Sequence, residues 1–317
     1  MTALSRAGFV AAAGAFALAP AGAGAQSLTP LRVAGSADED IVGTLWGIQS
    51  GIFQKYGLDV SVQRLNSGSI VSAALLGGTI DIGKSSSFGL VLGHAKGVPF
   101  VIEAGASNYA TETPTAGLVV ARDGPIRSAR DLNGKTVAVP ALGDLFTTAT
   151  LGWVDDNGGD SRTLKFLEMP LLAASEAVAA GRVAACNLII PNLTDSVTSG
   201  KCRILGYAFD SFAKHFNFTF YFTTAGFAAK NADTLARFRR ALAESVAYVI
   251  GHQADSAPLV AKFTGGDVKT AATMKVVLAT SLQPSLLQPV IDQAVKYKAI
   301  AKSFPAREMY DPAIILR

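Results

Sequence analysis

The sequence has few of the residues that build metal centres and covalent cross-links. Its 317 residues include two cysteines, Cys186 and Cys202, and three histidines, His94, His215 and His252, which are not at the spacing of zinc ligands. We therefore expect neither a metal site nor a bound cofactor. For the cysteines two alternatives are open: one disulfide in an oxidising compartment, or two separately buried thiols at strand positions.

Charged residues are also sparse. Lys, Arg, Asp and Glu make up 16% of the chain, the formal net charge is +4, and no basic run of the kind that binds phosphate backbones is present. Nucleic acid is therefore not an expected partner. Half of the residues are hydrophobic, which excludes a disordered chain and favours a well-buried globular protein.

Long hydrophobic runs are missing, apart from a short one near the start. Residues 7–19 are apolar, follow Arg6 and precede the small residues Ala23, Gly24 and Ala25, a pattern typical of a cleaved signal peptide. The run is shorter than the roughly 20 residues that span a bilayer. We predict that residues 1–25 are removed on export to the periplasm, and that the mature protein is not membrane-embedded.

From residue 31 onward, short β-branched runs alternate with helical patterns and glycine-rich breaks, which is typical of βαβ units. The predicted strands cover residues 31–34, 58–62, 80–82, 98–102, 135–139, 164–168, 183–190 and 203–207. The predicted helices include one continuous helix from residue 41 to Gly57 and others at 69–76, 87–95, 145–154 and 173–180. A last apolar stripe, after the possible N-cap Asn231, carries Leu235, Phe238, Leu242 and Val249.

This alternation predicts an α/β fold of two doubly wound lobes joined by a two-strand hinge. Extended passages at 117–121 and 216–222 are the expected crossings. Lobe one would then contain residues 26–118 and 222–317, and lobe two residues 119–221. In such a fold a ligand binds between the lobes, at the carboxyl ends of the strands.

One motif is misleading. Residues 78–85, GTIDIGKS, have the spacing of a nucleotide-binding P-loop. However, a helix is expected before this segment and Ile80 and Ile82 alternate as in a strand, so the context of a P-loop is missing. No G-x-S-x-G elbow or local catalytic triad is found, and we expect no enzyme activity.

Several segments resemble consecutive landmarks of one protein family. They are residues 51–60 (GIFQKYGLDV), 78–83 (GTIDIG), 131–140 (DLNGKTVAVP) and 180–185 (AGRVAA), the last with Ala184 in place of the usual acid. The family contains the binding proteins of ABC importers for nitrate, aliphatic sulfonates, taurine and thiamine-precursor pyrimidines.

The resemblance implies a type II periplasmic binding fold and a solute-binding component of an ABC importer. Such a monomer would capture a sulfonate, nitrate, pyrimidine precursor or aromatic acid and deliver it to a permease and its ATPase subunit. Two alternatives stay open: a pyrimidine-precursor synthesis enzyme of the same fold, whose clustered cysteines this chain lacks, and a ligand sensor for a membrane receptor.

In this architecture the site lies on loops that end a strand and open a helix. The resemblance places candidate ligand-binding residues there by position: Ser36, Asp38, Ser67, Ser69, Lys84, Ser85, Ser86, Asp144, Phe146 and Thr147. Tyr109 and Asn192, like Phe146, are candidates because they lie near the predicted crossings or strand ends. Lys84 would pair with a sulfonate or carboxylate, whereas the acids Asp38, Glu39 and Asp144 would repel an anion or pair with an amine. A zwitterionic or neutral ligand and a simple anion are therefore equally open. Helix capping is the alternative role for each hydroxyl, and core packing is the alternative for the aromatics.

Overall fold

A computed structural model describes residues 27–273 and 275–315, without the side chains of Leu172 and Ile315. The predicted signal peptide lies outside these described residues. The strands are β1 (Thr29–Gly35), β2 (Leu58–Arg64), β3 (Ile82–Ser86), β4 (Phe100–Ala110), β5 (Ala116–Ala121), β6 (Thr136–Val139), β7 (Lys165–Glu168), β8 (Ala185–Ile189), β9 (Cys202–Gly206) and β10 (His215–Thr224).

These strands form two five-stranded sheets, which confirms the predicted α/β class with two wound lobes. The first sheet has the order β2-β1-β3-β10-β4 and the second has the order β7-β6-β8-β5-β9. In each sheet, three neighbouring strands are parallel and one strand pairs antiparallel with both of its neighbours, β10 in the first sheet and β5 in the second. We call each sheet with its helices a lobe.

The helices connect these strands and form the C-terminal part of the chain. They are α1 (Val42–Gln49), α2 (Ile52–Lys55), α3 (Gly68–Leu76), α4 (Ser87–Ala95), α5 (Leu145–Asp156), α6 (Leu171–Ala179), α7 (Asn192–Thr198), α8 (Ala225–Lys230), α9 (Ala232–Gly251), α10 (Gln253–Thr264), α11 (Val268–Thr273), α12 (Gln288–Lys296) and α13 (Pro312–Ile315). Within the described residues, none of them is long and apolar enough to span a membrane.

Helix α9 shows why the C-terminal helices cover the first lobe. Leu235, Phe238, Leu242 and Val249 recur on one face of the helix and are all buried. This stripe contacts α1, α2, β2 and β4 of the first lobe. Asn231 occupies the predicted cap position but makes no side-chain cap bond; its amide instead donates to the Phe227 carbonyl at 3.0 Å.

Two local predictions are wrong. The helix expected from residue 41 to Gly57 is broken into α1 and α2, because Gly51 adopts a left-handed φ of 77°. The third strand begins at Ile82 rather than at residue 80 and extends through Ser86. Lys84 and Ser85 are therefore strand residues and not loop residues, which also removes the P-loop context of residues 78–85.

The chain passes between the sheets at residues 111–115 and 207–214, because β4 and β10 belong to the first sheet whereas β5 and β9 belong to the second. The predicted boundaries at 118/119 and 221/222 fall inside β5 and β10, a few residues after these crossings. β5 and β10 each pair within one sheet, so neither strand contains a boundary between the lobes. The passages predicted as crossings at 117–121 and 216–222 are therefore part of the sheets.

Cys186 and Cys202 are both buried and free. They lie on β8 and β9, which are separated in the second sheet by β5. Strands two positions apart are roughly 10 Å from each other, which is too far for a disulfide. Of the two alternatives, the structure has separately buried thiols.

Asp210 ties the two crossings together. Its carboxylate accepts hydrogen bonds from the Tyr109 hydroxyl at 2.8 Å, from the Thr111 hydroxyl at 2.6 Å and from the Lys214 ammonium group at 2.7 Å. Burial raises the pKa of Asp210, but these donors outweigh it and hold the pKa below the usual value. The two crossings are thus joined through one side chain.

Replacing Asp210 with alanine should lower the free energy of unfolding by about 2 kcal/mol, because the buried Tyr109 hydroxyl would lose its acceptor. Urea unfolding followed by circular dichroism measures this. The control is Asp233→Ala, which removes an exposed pair with Arg237 and should change the stability by less than about 0.5 kcal/mol. Equal effects of the two substitutions would contradict the assigned role of Asp210.

Candidate functional site

A cavity of about 190 Å³ lies between the lobes, at the carboxyl ends of the strands. One water needs roughly 10–15 Å³, so the cavity has room for a small solute. Its lining residues are Ser36, Asp38, Glu39, Asp40, Gly68, Ser85, Ser86, Ser107, Asn108, Thr115, Asp144, Leu145, Phe146, Ile189, Phe218, Thr219, Val276 and Val277. Asp144, Leu145, Phe146 and Ile189 come from the second lobe, Thr115 comes from a crossing, and the others come from the first lobe.

A buried ion pair lies beside this cavity. Lys84, which is 0% exposed, bonds to Asp40 through a short contact and to Asp38 at 3.2 Å. The Lys84 side chain lies close to the backbone of β1, because the β1 residue paired with it is Gly35. A Cβ at this position would meet the Lys84 side chain at 3.3 Å. Burial lowers the pKa of Lys84, but the Asp40 and Asp38 carboxylates outweigh this and raise the pKa above its usual value. Lys84 is therefore charged.

The second oxygen of Asp40 is satisfied by two hydroxyls. Ser107 on β4 donates to it at 2.7 Å, and Thr219 on β10 also donates to it. Ser107 and Thr219 are 2.6 Å from each other and are direct neighbours across the two strands. Asp40 thus joins three strands of the first sheet below the cavity, and both of its oxygens have hydrogen-bond partners.

Three helices begin at or next to the cavity, and each has a side-chain cap. The oxygens of Ser67, Ser86 and Asp144 accept from backbone N–H groups in the first turns of α3, α4 and α5, at 3.4, 3.2 and 2.8 Å. Ser67 and Ser86 therefore fulfil the capping role that was the alternative for each hydroxyl, and Asp144 caps α5 in the same way. Ser86 and Asp144 also line the cavity.

Six of the predicted site residues line the cavity: Ser36, Asp38, Ser85, Ser86, Asp144 and Phe146. The other six do not. Ser67 and Ser69 lie 2.9 Å from each other, Lys84 is buried in its ion pair, and the Tyr109 hydroxyl on β4 donates to Asp210. The Thr147 hydroxyl donates to the Ala141 carbonyl, and Asn192 begins α7. Whether any of the twelve contacts a solute stays a prediction.

Sequence reasoning missed all of the lining from β4, β10 and the segment 276–277. Ser107, Asn108, Phe218 and Thr219 belong to β4 and β10, the two strands of the first sheet that adjoin the crossings. A signal was present, since Asn217 and Thr219 interrupt an otherwise aromatic strand and polar residues in a buried strand need partners. Their partners on β4 are distant in sequence, so the pattern alone does not identify the site.

The electrostatics of the cavity are acidic. Asp38, Glu39, Asp40 and Asp144 line it, and among the described residues that line it none is Lys, Arg or His. Burial, followed by the neighbouring Asp40 carboxylate, raises the pKa of Glu39 to about 7. Burial also raises the pKa of Asp144 to about 6. In the parts of the chain that the structure covers, no group of three His, Cys, Asp or Glu is arranged to hold a metal ion.

Comparison with known proteins identifies the family of this chain. The model of the family described as NMT1/THI5 like matches residues 38–256. The chain therefore belongs to the NMT1/THI5-like family. The sequence has no significant match among curated proteins.

Solved structures share the fold. The aliphatic sulphonate binding protein SsuA of Escherichia coli matches with a TM-score of 0.74 and 19% identity, over 90% of this chain and 92% of that one. SsuA of Xanthomonas axonopodis pv. citri, bound to MOPS, has a TM-score of 0.71 and 17% identity over 89% and 98%. The nitrate-binding protein NrtA of Synechocystis has a TM-score of 0.70 and 13% identity over 89% and 84%. The type II periplasmic binding fold is thereby confirmed.

Asp40→Ala should lower the free energy of unfolding by about 3 kcal/mol, because the buried Lys84 ammonium group would lose its main partner. Chemical unfolding measures the loss. The matched control is Glu244→Ala, which breaks an ion pair with Lys55 at the surface and should cost less than about 1 kcal/mol. A loss for Asp40→Ala no greater than that of the control would contradict the structural role of the pair.

Asp144→Asn tests the raised pKa of Asp144. The folded protein holds the Asp144 proton up to about pH 6 whereas the unfolded chain releases it near pH 4, so ionisation costs wild-type stability as the pH rises through this window. Asparagine also caps helices. The variant should therefore gain about 1–2 kcal/mol over wild type between pH 4 and pH 7, measured by urea unfolding.

The control for this pH series is Asp267→Asn. Asp267 also accepts from an N–H three residues ahead, at 2.9 Å, but lies on the exposed surface. The gain in the free energy of unfolding over wild type should differ between the two variants. A gain that is the same in both, or that falls as the pH rises, would contradict the burial of the Asp144 charge.

Proposed function

We propose that this chain is the periplasmic solute-binding component of an ABC importer. It captures a small solute in the cavity between the lobes and delivers it to a permease with its ATPase subunit. The observation that carries the proposal is one cavity lined by residues of both lobes, in a chain whose lobes are joined by two crossings. Membership of the NMT1/THI5-like family supports it.

The proposed mechanism is hinge closure. A solute that binds the open form and contacts both lobes favours the closed form, since only contacts made in the closed form shift the equilibrium. Ser85 and Ser86 offer polar groups from the first lobe, and Asp144 and Phe146 provide contacts from the second. The permease then recognises the closed form. In this proposal residues 1–25 direct export, and the exported protein acts as a monomer.

We propose a binding protein rather than an enzyme. The solved SsuA and NrtA structures are named as binding proteins. Turnover of an added compound by purified protein would contradict this part of the proposal.

The proposal is tested by filling the cavity. Thermal stabilisation of purified protein is measured with sulfonates, nitrate, pyrimidines, aromatic acids and amines, and each binding solute is then measured by titration calorimetry. Ser86→Trp introduces a large ring into the cavity lining and should weaken binding by at least about tenfold.

The matched control for Ser86→Trp is Thr224→Trp. Thr224 also caps a helix, α8, with its hydroxyl accepting from the Phe227 N–H at 3.1 Å, but it does not line the cavity. Both variants lose a cap that stabilises the protein by about 1 kcal/mol, so the comparison isolates the steric effect. Equal affinity in the two variants would exclude the cavity as the binding site.

A further inference from the structure

The charge of the cavity restricts the chemistry of the solute, if the proposed binding function is correct. Asp38, Glu39, Asp40 and Asp144 contribute carboxylates to the lining, and across the described residues that lining has no basic side chain. A buried anion needs a cationic or hydrogen-bonding partner to offset its lost hydration. A sulfonate or nitrate would instead meet carboxylates.

Lys84 does not supply that partner. Its ammonium group is completely buried, bonds to both Asp38 and Asp40, and is absent from the lining. Extracting it for a ligand would leave Asp40 as a buried carboxylate without its main counter-ion, which is a costly state. The lysine is therefore committed to the fold.

The helix starts are already partly used by the chain itself. The first turns of α3, α4 and α5 each have an N–H group bonded to a side-chain oxygen, from Ser67, Ser86 and Asp144. Asp38, Glu39 and Asp40 lie at the start of the helical segment that leads into α1. Positive helix ends elsewhere bind anions, but here the starts of α5 and of the segment before α1 carry carboxylates of the chain itself, and those of α3 and α4 are capped by serine hydroxyls.

Glu39 and Asp144 are the two carboxylates that lie outside the Lys84 pair and belong to different lobes. Both have a raised pKa, so the cavity disfavours their charged forms when it is empty. A positive charge between them would favour their charged forms. It would also bring the lobes together, because the two carboxylates belong to different lobes.

Two aromatic rings complete the lining. Phe218 comes from β10 of the first lobe and Phe146 from α5 of the second, and both contact Phe209, with ring centroids 5.5 and 5.4 Å from it. Aromatic faces bind apolar groups and also attract cations. They suit the apolar part of a small organic cation.

We propose that the cavity binds a small solute in which a protonated amine, amidine or guanidine group is attached to an apolar or aromatic body. The cationic group lies between Glu39 of the first lobe and Asp144 of the second, and the body lies against Phe146 and Phe218. Binding neutralises charge on both lobes and thereby drives closure.

The test compares matched probes at pH 8, where both carboxylates are ionised. The cations are benzylamine, benzamidine and butylguanidine; the anions are benzenesulfonate, benzoate and nitrate; benzyl alcohol is the neutral probe. Thermal stabilisation and calorimetry are measured for each. We expect at least one cation to bind and neither the anions nor the alcohol to do so. Glu39→Gln and Asp144→Asn should each weaken binding of the cation by at least about tenfold.

The control variant is Glu176→Gln, which changes an exposed carboxylate of the second lobe and should leave the affinity within about twofold. Using two variants keeps the test decisive if one of them fails to fold. Binding of a cation that both Glu39→Gln and Asp144→Asn leave unchanged would overturn the inference.

The remaining outcomes separate the two proposals. An anion or the alcohol that binds wild type and is lost in Ser86→Trp would overturn the charge inference and leave the solute-binding function standing. If no compound of any charge binds here or in the wider solute screen, both proposals fail.

Discussion

The ion pair between Lys84 and Asp40 is the interaction on which the cavity depends. Burying two charges is unfavourable unless each finds good partners, and here the strand hydroxyls of Ser107 and Thr219 complete the set. The pair therefore fixes β3, β4, β10 and the loop after β1 relative to each other. The floor of the cavity is rigid because moving any of these segments would leave a charge without its partner.

Much of the fold could be predicted because its signals are local. Alternating apolar residues and helical stripes identified most strands and helices, including α4, whose predicted and observed bounds agree. The failures have local causes as well. Gly51 interrupts a stripe that otherwise continues, and α7 follows Pro191 in a polar segment, Asn192–Thr198, that has little apolar periodicity.

The candidate site was harder to predict because its partners are distant in sequence. A lysine that follows a strand pattern and precedes serines suggests an exposed ligand contact. Its burial depends on the pairing of Gly35 with Lys84, which brings the carboxylates that follow β1 beside it. The register between strands cannot be read from one sequence. For this reason only half of the predicted residues line the cavity, and Lys84 is not among them.

The family landmarks and the cavity occupy different parts of the molecule. Gly57 and Gly134 have left-handed φ angles of 72° and 73° and form turns before β2 and β6, away from the residues that line the cavity. These positions shape the scaffold and do not line the cavity. The lining is free to differ, and likeness of fold does not carry a ligand from one member to another.

The two buried thiols provide a natural reporter for one half of the molecule. Cys186 and Cys202 both belong to the core of the second lobe, and burial raises the pKa of each, so neither is available as a reactive thiolate in the native protein. A thiol-modifying reagent would react with them only when that lobe opens. The rate of alkylation therefore measures the local unfolding of the second lobe, without any engineered label and separately from the first lobe.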